Sequence, residues 1–369
     1  MHGTPSISPK TPRCLIVRPV KLSDHGGDEV VYRRSSGFLS RYFEIDTLEL
    51  LPITRWRAFF NVRKFAPPEI LRWISADNTR RVQQALTGAD YDAVYFFNEI
   101  TFPSSRPALA SQKPIVLVAH NVHSVVARSD GSLPSLLGRF ICVHFERLWY
   151  ADRRAELVCI SNNDVAGLRK SGIKRTRTFV APPGAPPAEP FPEPFRVNAT
   201  AVLTGSYGWW RKRRDLKVFL ASAPSGLPVY TSDAEARAMF QQADWPVIRE
   251  QPDFGAAMHF GLITDRFEGG FKLKALEYLA KNCAILAYCD LSAEFVGLPH
   301  AAEFVRRVGS IAEIRSIMSQ MQADDPTALG ERFKLFRQAC LERYKWSECL
   351  LPLYQAYNAA RSRVQGLAL

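Results

Sequence analysis

The chain has 369 residues and a globular composition, with 47% hydrophobic, 23% charged and 11% aromatic residues. This length is sufficient for two domains. The sequence contains no low-complexity tract, no internal repeat and no apolar run of the roughly 20 residues that a membrane-spanning helix needs. Seven cysteines without a Cys-x-x-Cys pair, and a polar N-terminus without a secretory signal, predict reduced thiols and a cytoplasmic protein.

The net charge of +12 is unevenly distributed along the chain. Residues 1–200 hold 27 Lys and Arg against 18 Asp and Glu, a net charge of +9, whereas residues 201–369 have a net charge of +3. A basic half favours an anionic partner, which leaves nucleic acid, phospholipid headgroups and a phosphate-bearing substrate as candidates.

Strand-like and helix-like segments alternate through the first half. Buried strands are predicted at 14–20, 45–51, 93–97, 114–120, 157–161 and 178–181, and helices at 30–43, 67–86, 132–155 and 162–171. A polar loop at 21–29 follows the first strand. Short apolar strands that alternate with helices predict a parallel, doubly wound sheet.

A proline-rich segment separates the two halves, with seven prolines among residues 182–194. Such a segment cannot form a helix or a central strand. The second half repeats the pattern, with strands predicted at 201–203, 227–230, 247–249, 260–263 and 284–288 and helices at 215–223, 233–241, 270–281, 311–321 and 331–360. Trp346 is a candidate break in the last helix.

The segment 265–280 joins a strand to a helix through the glycine pair Gly269 and Gly270. The glycines allow close approach of the backbone, and the first helical turn offers unpaired N–H groups. Lys272 and Lys274 add positive charge, and Glu277 could accept hydrogen bonds from a ribose diol. The segment therefore predicts a diphosphate site, although a surface ion pair between Lys274 and Glu277 beside an ordinary turn would give the same pattern.

Ligands of doubly wound sheets bind beyond the carboxyl ends of the strands. Four loops follow predicted strands in this way, namely 24–29, 120–129, 205–213 and 265–270. Two facing sheets would bring these loops to one cleft.

In this arrangement the chain resembles GT-B-fold glycosyltransferases with a group 1, family-four-like C-terminal domain. The resemblance covers nearly the whole chain and rests on the motifs His25-Gly-Gly-Asp-Glu-Val-Val, Ala119-His-Asn-Val, Cys159-Ile-Ser-Asn-Asn-Asp, Val180-Ala-Pro-Pro-Gly and Gly269-Gly-Phe-Lys-Leu-Lys-Ala-Leu-Glu-Tyr-Leu-Ala. It implies an α/β fold of two doubly wound, Rossmann-like domains that face each other across a cleft. The implied divisions are an acceptor domain at 1–181, a linker at 182–199, a donor domain at 200–345 and a returning C-terminal helix at 346–369.

The resemblance also implies the residues of the site. The donor would be bound by Gly27, Gly205, Arg211, Lys212, Glu268, Gly270, Lys272, Lys274 and Glu277, and the catalytic candidates are His120 and Asp130. Glu268 departs from the family pattern, because eight residues rather than seven separate it from Glu277. The family's small residues after Gly205 are replaced by Trp209 and Trp210, and we expect at least one of these to pack.

The implied activity is transfer of a sugar from a nucleotide-diphosphate donor to a glycan or a lipid-linked saccharide. No metal and no cofactor are expected, because lysines and arginines can neutralise the leaving diphosphate. An inverting enzyme would need a general base, for which Asp28, His123 and Asp130 lie on suitable loops, whereas a retaining enzyme would use His120 to orient the sugar.

Three other interpretations remain at this point: a nucleotide-sugar epimerase of similar fold, a basic nucleic-acid-binding protein, and a relative without catalytic activity. Dispersed basic residues and the lack of a nucleic-acid module argue against the second.

Aromatic and basic residues alternate in the first half, at 55–64, 71–73 and 139–150. This pattern is typical of a bilayer interface. It predicts peripheral binding to an anionic membrane, at the inner face, and fits a polyprenyl-linked acceptor in bacterial exopolysaccharide or surface-glycan assembly. An amphipathic helix packed on the sheet would explain the same residues.

Overall fold

The structure is a computed structural model, and it describes residues 11–20, 27–61, 64–128, 133–175, 177–222 and 227–366. The strands, in chain order, are β1 (Arg13–Pro19), β2 (Glu44–Leu50), β3 (Ala93–Phe97), β4 (Ile115–Ala119), β5 (Glu156–Cys159), β6 (Phe179–Val180), β7 (Val197–Leu203), β8 (Val229–Thr231), β9 (Val247–Ile248), β10 (Met258–Ile263), β11 (Cys283–Ala287) and β12 (Val305–Arg307).

The α-helices are α1 (Gly27–Leu39), α2 (Arg55–Phe59), α3 (Pro68–Leu71), α4 (Ala76–Gly88), α5 (Arg106–Leu109), α6 (His123–Arg128), α7 (Leu133–Trp149), α8 (Asn162–Lys170), α9 (Trp210–Leu220), α10 (Ala234–Gln242), α11 (Leu273–Ala280), α12 (Ser292–Phe295), α13 (Ala301–Phe304), α14 (Ile311–Ala323), α15 (Pro326–Arg343) and α16 (Trp346–Val364). A 3₁₀ helix spans Glu99–Ser104. None of the helices in these ranges combines the length and apolarity needed to cross a bilayer.

The strands form two six-stranded sheets, in the orders β2-β1-β3-β4-β5-β6 and β12-β11-β10-β7-β8-β9. Neighbouring strands pair in parallel throughout both sheets. Central strands such as β4, β10 and β11 are buried along their whole length, as expected where helices cover both faces. The predicted fold of two doubly wound sheets is confirmed.

Several of the predicted helix limits were wrong. The helix predicted at 67–86 is two helices, since the Ser75 side chain accepts from the Asn78 N–H and starts α4 anew. The predicted 331–360 helix is two helices, α15 and α16, and the second begins at Trp346, the candidate break. α1 begins at Gly27, so the end of the predicted 21–29 loop is helical.

The proline-rich segment packs against the second half. The Ala185 N–H donates to the Tyr344 carbonyl (2.7 Å), and the Glu189 N–H donates to the Ala280 carbonyl (2.8 Å). α16 then packs on the first sheet, where the Tyr95 hydroxyl donates to the Leu353 carbonyl at 3.1 Å. The proline-rich segment is therefore fixed to the second half, and α16 ties the second half to the first sheet.

Candidate functional site

Each sheet has a point where the chain reverses the direction in which strands are added. In the second sheet this point lies between β7 and β10, and the loops that leave these strands begin at Thr204 and Thr264. In the first sheet it lies between β1 and β3. Such crevices are where open α/β sheets bind ligands.

Two buried lysines converge at the crevice of the second sheet. The Lys274 ammonium lies 3.6 Å from Asp265 Oδ1 and donates to the Tyr207 hydroxyl at 3.2 Å. Lys272 donates to the Gly269 carbonyl at 3.0 Å. Burial would lower the pKa of Lys274, but Asp265 and Tyr207 outweigh it and raise the pKa well above its ordinary value. Lys274 is therefore a fixed positive charge.

A third lysine, Lys212 on α9, joins this pair from the side. Burial and then repulsion by Lys274 lower its pKa to about 8. Asp265 is the acidic residue that faces all three lysines, and their attraction lowers its pKa against the effect of burial. Three cations around one carboxylate leave a net positive charge that a diphosphate would neutralise.

The neighbouring Arg211 bridges the two halves of the chain. Its guanidinium lies 3.4 Å from the Glu69 carboxylate on α3 of the first half, and it stacks on the Trp210 ring. Trp209 instead packs edge-on against Phe267, so the expectation that at least one of the two tryptophans packs is met.

Glu277 lies at the rim of the same crevice. It accepts a hydrogen bond from the Thr204 hydroxyl at 3.2 Å and pairs with Lys281 at 2.8 Å. One third of its side chain remains exposed (34%), so it can accept further hydrogen bonds from a ligand.

Gly205 and the glycine pair adopt left-handed backbone conformations, with φ of +88° at Gly205, +110° at Gly269 and +61° at Gly270. A Cβ at Gly205 would lie 2.9 Å from Cε of Lys274, so a side chain at this position would clash with the lysine. The pair faces the first half instead: a Cβ at Gly270 would lie 2.6 Å from Asn121 Oδ1.

The structure gives Gly270 a contact that the sequence did not indicate. Its N–H donates to both carboxylate oxygens of Asp164, each at 3.1 Å. In this arrangement the N–H is therefore engaged by the first half and is not directed at a diphosphate. Burial raises the pKa of Asp164 to about 7.

The remaining donor candidates lie at the edge of the site. A Cβ at Gly27, the first residue of α1, would lie 2.7 Å from Leu273 Cδ1, so Gly27 permits close approach of the halves. Glu268 is half-buried on the loop before the glycine pair. Asp130, the second catalytic candidate, lies outside the described residues.

His120 faces this cluster from the carboxyl end of β4. Its Nδ1 lies 2.9 Å from Asp28 Oδ1, while its buried Nε2 has no hydrogen-bond partner among the described residues. Burial would lower the pKa of His120, but Asp28 and Glu99 raise it. Desolvation would raise the pKa of Asp28, whose side chain is nevertheless 68% exposed, but the attraction of His120 and Lys212 outweighs it and lowers the pKa. Asp28 thus orients a histidine whose other nitrogen has no hydrogen-bond partner in the part of the chain that the structure describes.

A buried carboxylate, Glu99, shapes the loop that carries His120. It accepts from the His120 N–H at 2.9 Å and the Asn121 N–H at 3.2 Å, and it lies 3.2 Å from His123 Nε2. His123, one of the candidate bases, is consequently held by Glu99.

Sequence reasoning assigned no role to Tyr207, Asp265 or Asp164. An isolated carboxylate after a strand is typical of a turn, and the partner of Asp164 lies 106 residues away. The available signals were the motif that ends at Asp164 and the position of Tyr207 and Asp265 after predicted strands. No cluster of three or more His, Cys, Asp or Glu side chains suited to a metal ion occurs in the described part of the chain.

No protein-family model matches the chain, and no curated protein matches it. Solved glycosyltransferase structures do resemble it. An S. aureus TarM mutant in complex with UDP has a TM-score of 0.52 and 9% identity, and the match covers 76% of this chain and 59% of TarM.

Two trehalose-related structures align with nearly the whole length of the chain. An E. coli trehalose-6-phosphate structure bound with UDP-2-fluoro glucose has a TM-score of 0.58 and 11% identity, over 94% of this chain and 98% of its own. The UDP-forming α,α-trehalose-phosphate synthase of Burkholderia xenovorans, in complex with glucose-6-phosphate, has a TM-score of 0.55 and 10% identity, over 94% and 100%. The chain therefore has the GT-B glycosyltransferase fold.

Proposed function

We propose that the chain is a glycosyltransferase that moves a hexose from a nucleoside-diphosphate sugar to a saccharide or lipid-linked saccharide, without a metal ion. The observation that carries this proposal is the convergence of Lys212, Lys272 and Lys274 beside Glu277, at the crevice of the second sheet. Similar structures hold UDP or a UDP sugar, which makes uridine the first base to test.

The lysines would act on the leaving group. As the bond between the anomeric carbon and the diphosphate oxygen breaks, negative charge builds on the diphosphate and positive charge on the sugar. Cations already in place stabilise this charge without reorganisation, and a single such contact is typically worth about 3–4 kcal/mol. Lys274, held by Asp265 and Tyr207, is preorganised for this role.

His120 would act on the sugar or acceptor side. Because Asp28 accepts from Nδ1–H of the neutral ring, Nε2 is left as the acceptor atom. In a retaining reaction it would hold a hydroxyl of the donor sugar, and in an inverting reaction it would take the proton of the acceptor hydroxyl.

The acceptor and the wider role rest on the family resemblance together with the basic first half. They make assembly of a bacterial exopolysaccharide or another surface glycan the process we propose, with the protein peripheral on the inner membrane face.

Calorimetric titration with uridine, guanosine and thymidine diphosphates would test the donor site, on the unmodified protein and on Glu277→Ala. We expect one nucleotide to bind and the variant to lose at least tenfold in affinity, because two or more hydrogen bonds to a charged carboxylate are removed. Glu331→Ala, which removes an exposed glutamate of α15, is the matched control. Equal affinity of Glu277→Ala and the unmodified protein, or binding of no diphosphate, would contradict the assignment.

A further inference from the structure

An exposed apolar surface lies on the first half, formed by residues that take no part in the contacts described above. It comprises Trp56, Phe59, Phe60 and Phe65 from α2 and the segment after it, and Leu136, Leu137 and Phe140 from α7. Five of the six exposed Phe and Trp side chains in the described residues belong to it. We call these residues, with their basic neighbours Arg55, Arg57, Lys64 and Arg139, the aromatic–basic surface.

The exposure of these rings is built into the fold. Trp56 is 78% exposed and Phe60 is 76% exposed, although Ala58 between them is buried. Asn61 fixes the segment, because its side-chain amide donates to the Leu71 and Ile74 carbonyls at 2.9 and 2.8 Å. The hydrogen bonds of Asn61 therefore fix the backbone of this segment, while the rings of Trp56 and Phe60 are exposed to solvent.

The two parts of the surface adjoin each other. Phe65 contacts His144 of α7, with ring centroids 6.0 Å apart. Leu137, Phe140 and His144 recur at spacings of three and four residues, which places them on one face of that helix. A contiguous patch of this kind on a soluble domain indicates an interaction site.

The charge of the residues around the apolar patch indicates the kind of partner that it binds. Residues 51–65 contain four basic residues and no acidic one, and the acidic residue of 133–149, Glu146, is fully buried. Phe and Trp beside arginine are the residues that enter the headgroup region of a bilayer, and arginines attract anionic lipids.

We propose that the aromatic–basic surface docks the protein on a bilayer that contains anionic phospholipid. Glu69, four residues after Phe65 on α3, pairs with Arg211 of the second half, so the chain that leaves this surface runs directly to the cleft. Docking would therefore bring the bilayer to the side of the cleft next to His123. If the proposed function holds, which this last step requires, the acceptor is a saccharide on a lipid anchor.

Vesicle co-sedimentation of the full chain tests the docking. The vesicles would contain phosphatidylcholine alone or a mixture of phosphatidylcholine and anionic phosphatidylglycerol. We expect binding to the anionic vesicles, weakened by salt. Arg55→Gln/Arg57→Gln should lose on the order of 25-fold in affinity, about fivefold for each charge, and Trp56→Ser/Phe60→Ser should abolish binding.

Val296→Ser/Leu335→Ser is the matched control, because these side chains are 71% and 56% exposed on the second half. It should bind vesicles like the unmodified protein. Nucleoside-diphosphate affinity, measured on every variant, shows that each has folded and separates failure of docking from failure of the donor site. Absence of vesicle binding, equal binding to both vesicle types, or concentration-dependent dimerisation that the Trp56→Ser/Phe60→Ser variant abolishes would each overturn the proposal.

Discussion

Lys212 is a lysine of the cleft whose charge changes between pH 7 and pH 9. Burial and the charge of Lys274 lower its pKa to about 8, so it is protonated at pH 7 and largely neutral at pH 9. A bound diphosphate would favour the protonated form and raise this pKa. Binding should therefore take up a proton near pH 8 and weaken by about tenfold between pH 7 and pH 9.

Titrations at several pH values, in buffers of different ionisation enthalpy, would measure this proton uptake. Lys212→Arg serves as the comparison, because an arginine stays charged over this range. The variant should bind with little change in affinity from pH 7 to pH 9. Proton uptake that persists in the variant would assign the titration to another group.

The pair of Asp28 and His120 leads to a prediction about catalysis rather than binding. Asp28→Asn keeps the shape of the side chain but removes the charge that raises the pKa of His120. That pKa should fall, so the acidic limb of the pH–rate profile should move to lower pH. Turnover should decrease by about a hundredfold, the usual size of an acid–base or orienting contribution.

The readout is release of nucleoside diphosphate from the sugar donor, with nucleotide affinity as the control for folding. If only the affinity changed and turnover per bound donor were preserved, the result would show that Asp28 has no role in the chemical step.

At the scale of elements, Lys274 limits which residue can occupy the turn after β7. Gly205 has φ of +88°, and a Cβ there would approach Lys274 Cε to 2.9 Å. Gly205→Ala should lower the free energy of unfolding by about 1–2 kcal/mol, the cost of a left-handed conformation for a residue with a Cβ. It should also displace Lys274 and weaken diphosphate binding.

Gly208→Ala is the matched control three residues further along. Gly208 does not have a positive φ, and the nearest atom to its Cβ would be Ser206 Oγ at 3.6 Å. Chemical denaturation and titration of both variants would test the prediction, which fails if the two variants behave alike.

The elements also show what the sequence could predict. Strands such as β4 and β11 are continuous apolar runs, so their places were readable from the sequence. Lys274 and Glu277 were singled out because they follow a predicted strand on one helix. The divided helix at α3 and α4 was missed because a periodic pattern continues across the Ser75 cap. The role of Asp265 was missed because its lysine partners become neighbours only when the loop folds.

At the scale of the whole molecule, each half contributes a buried carboxylate to the other. Asp164 of the first half accepts from the Gly270 N–H. Glu294 of the second half accepts from the Ser161 hydroxyl at 2.8 Å and from the Asn163 N–H at 3.2 Å. No local pattern predicts such contacts, because the partners lie more than a hundred residues apart in the chain.

Because of these contacts, Glu294 should stabilise the association of the two halves. Glu294→Gln replaces one acceptor oxygen with a donor that faces the hydrogen-bond donors of Ser161, Asn162 and Asn163. A buried polar group left unpaired costs about 1–3 kcal/mol, so the melting temperature should fall. The Asn163 amide should exchange its hydrogen faster, because it loses its charged acceptor.

Amide hydrogen exchange of the 161–164 segment, read beside scanning calorimetry, distinguishes a local effect from global destabilisation. Glu331→Gln, on the exposed face of α15, is the control and should change neither quantity. Faster exchange confined to this segment means that the carboxylate joins the halves. Unchanged exchange with an unchanged melting temperature would mean that the contact contributes nothing to their association, and closure of the cleft would then depend on Asp164, Gly270 and the packing of α16.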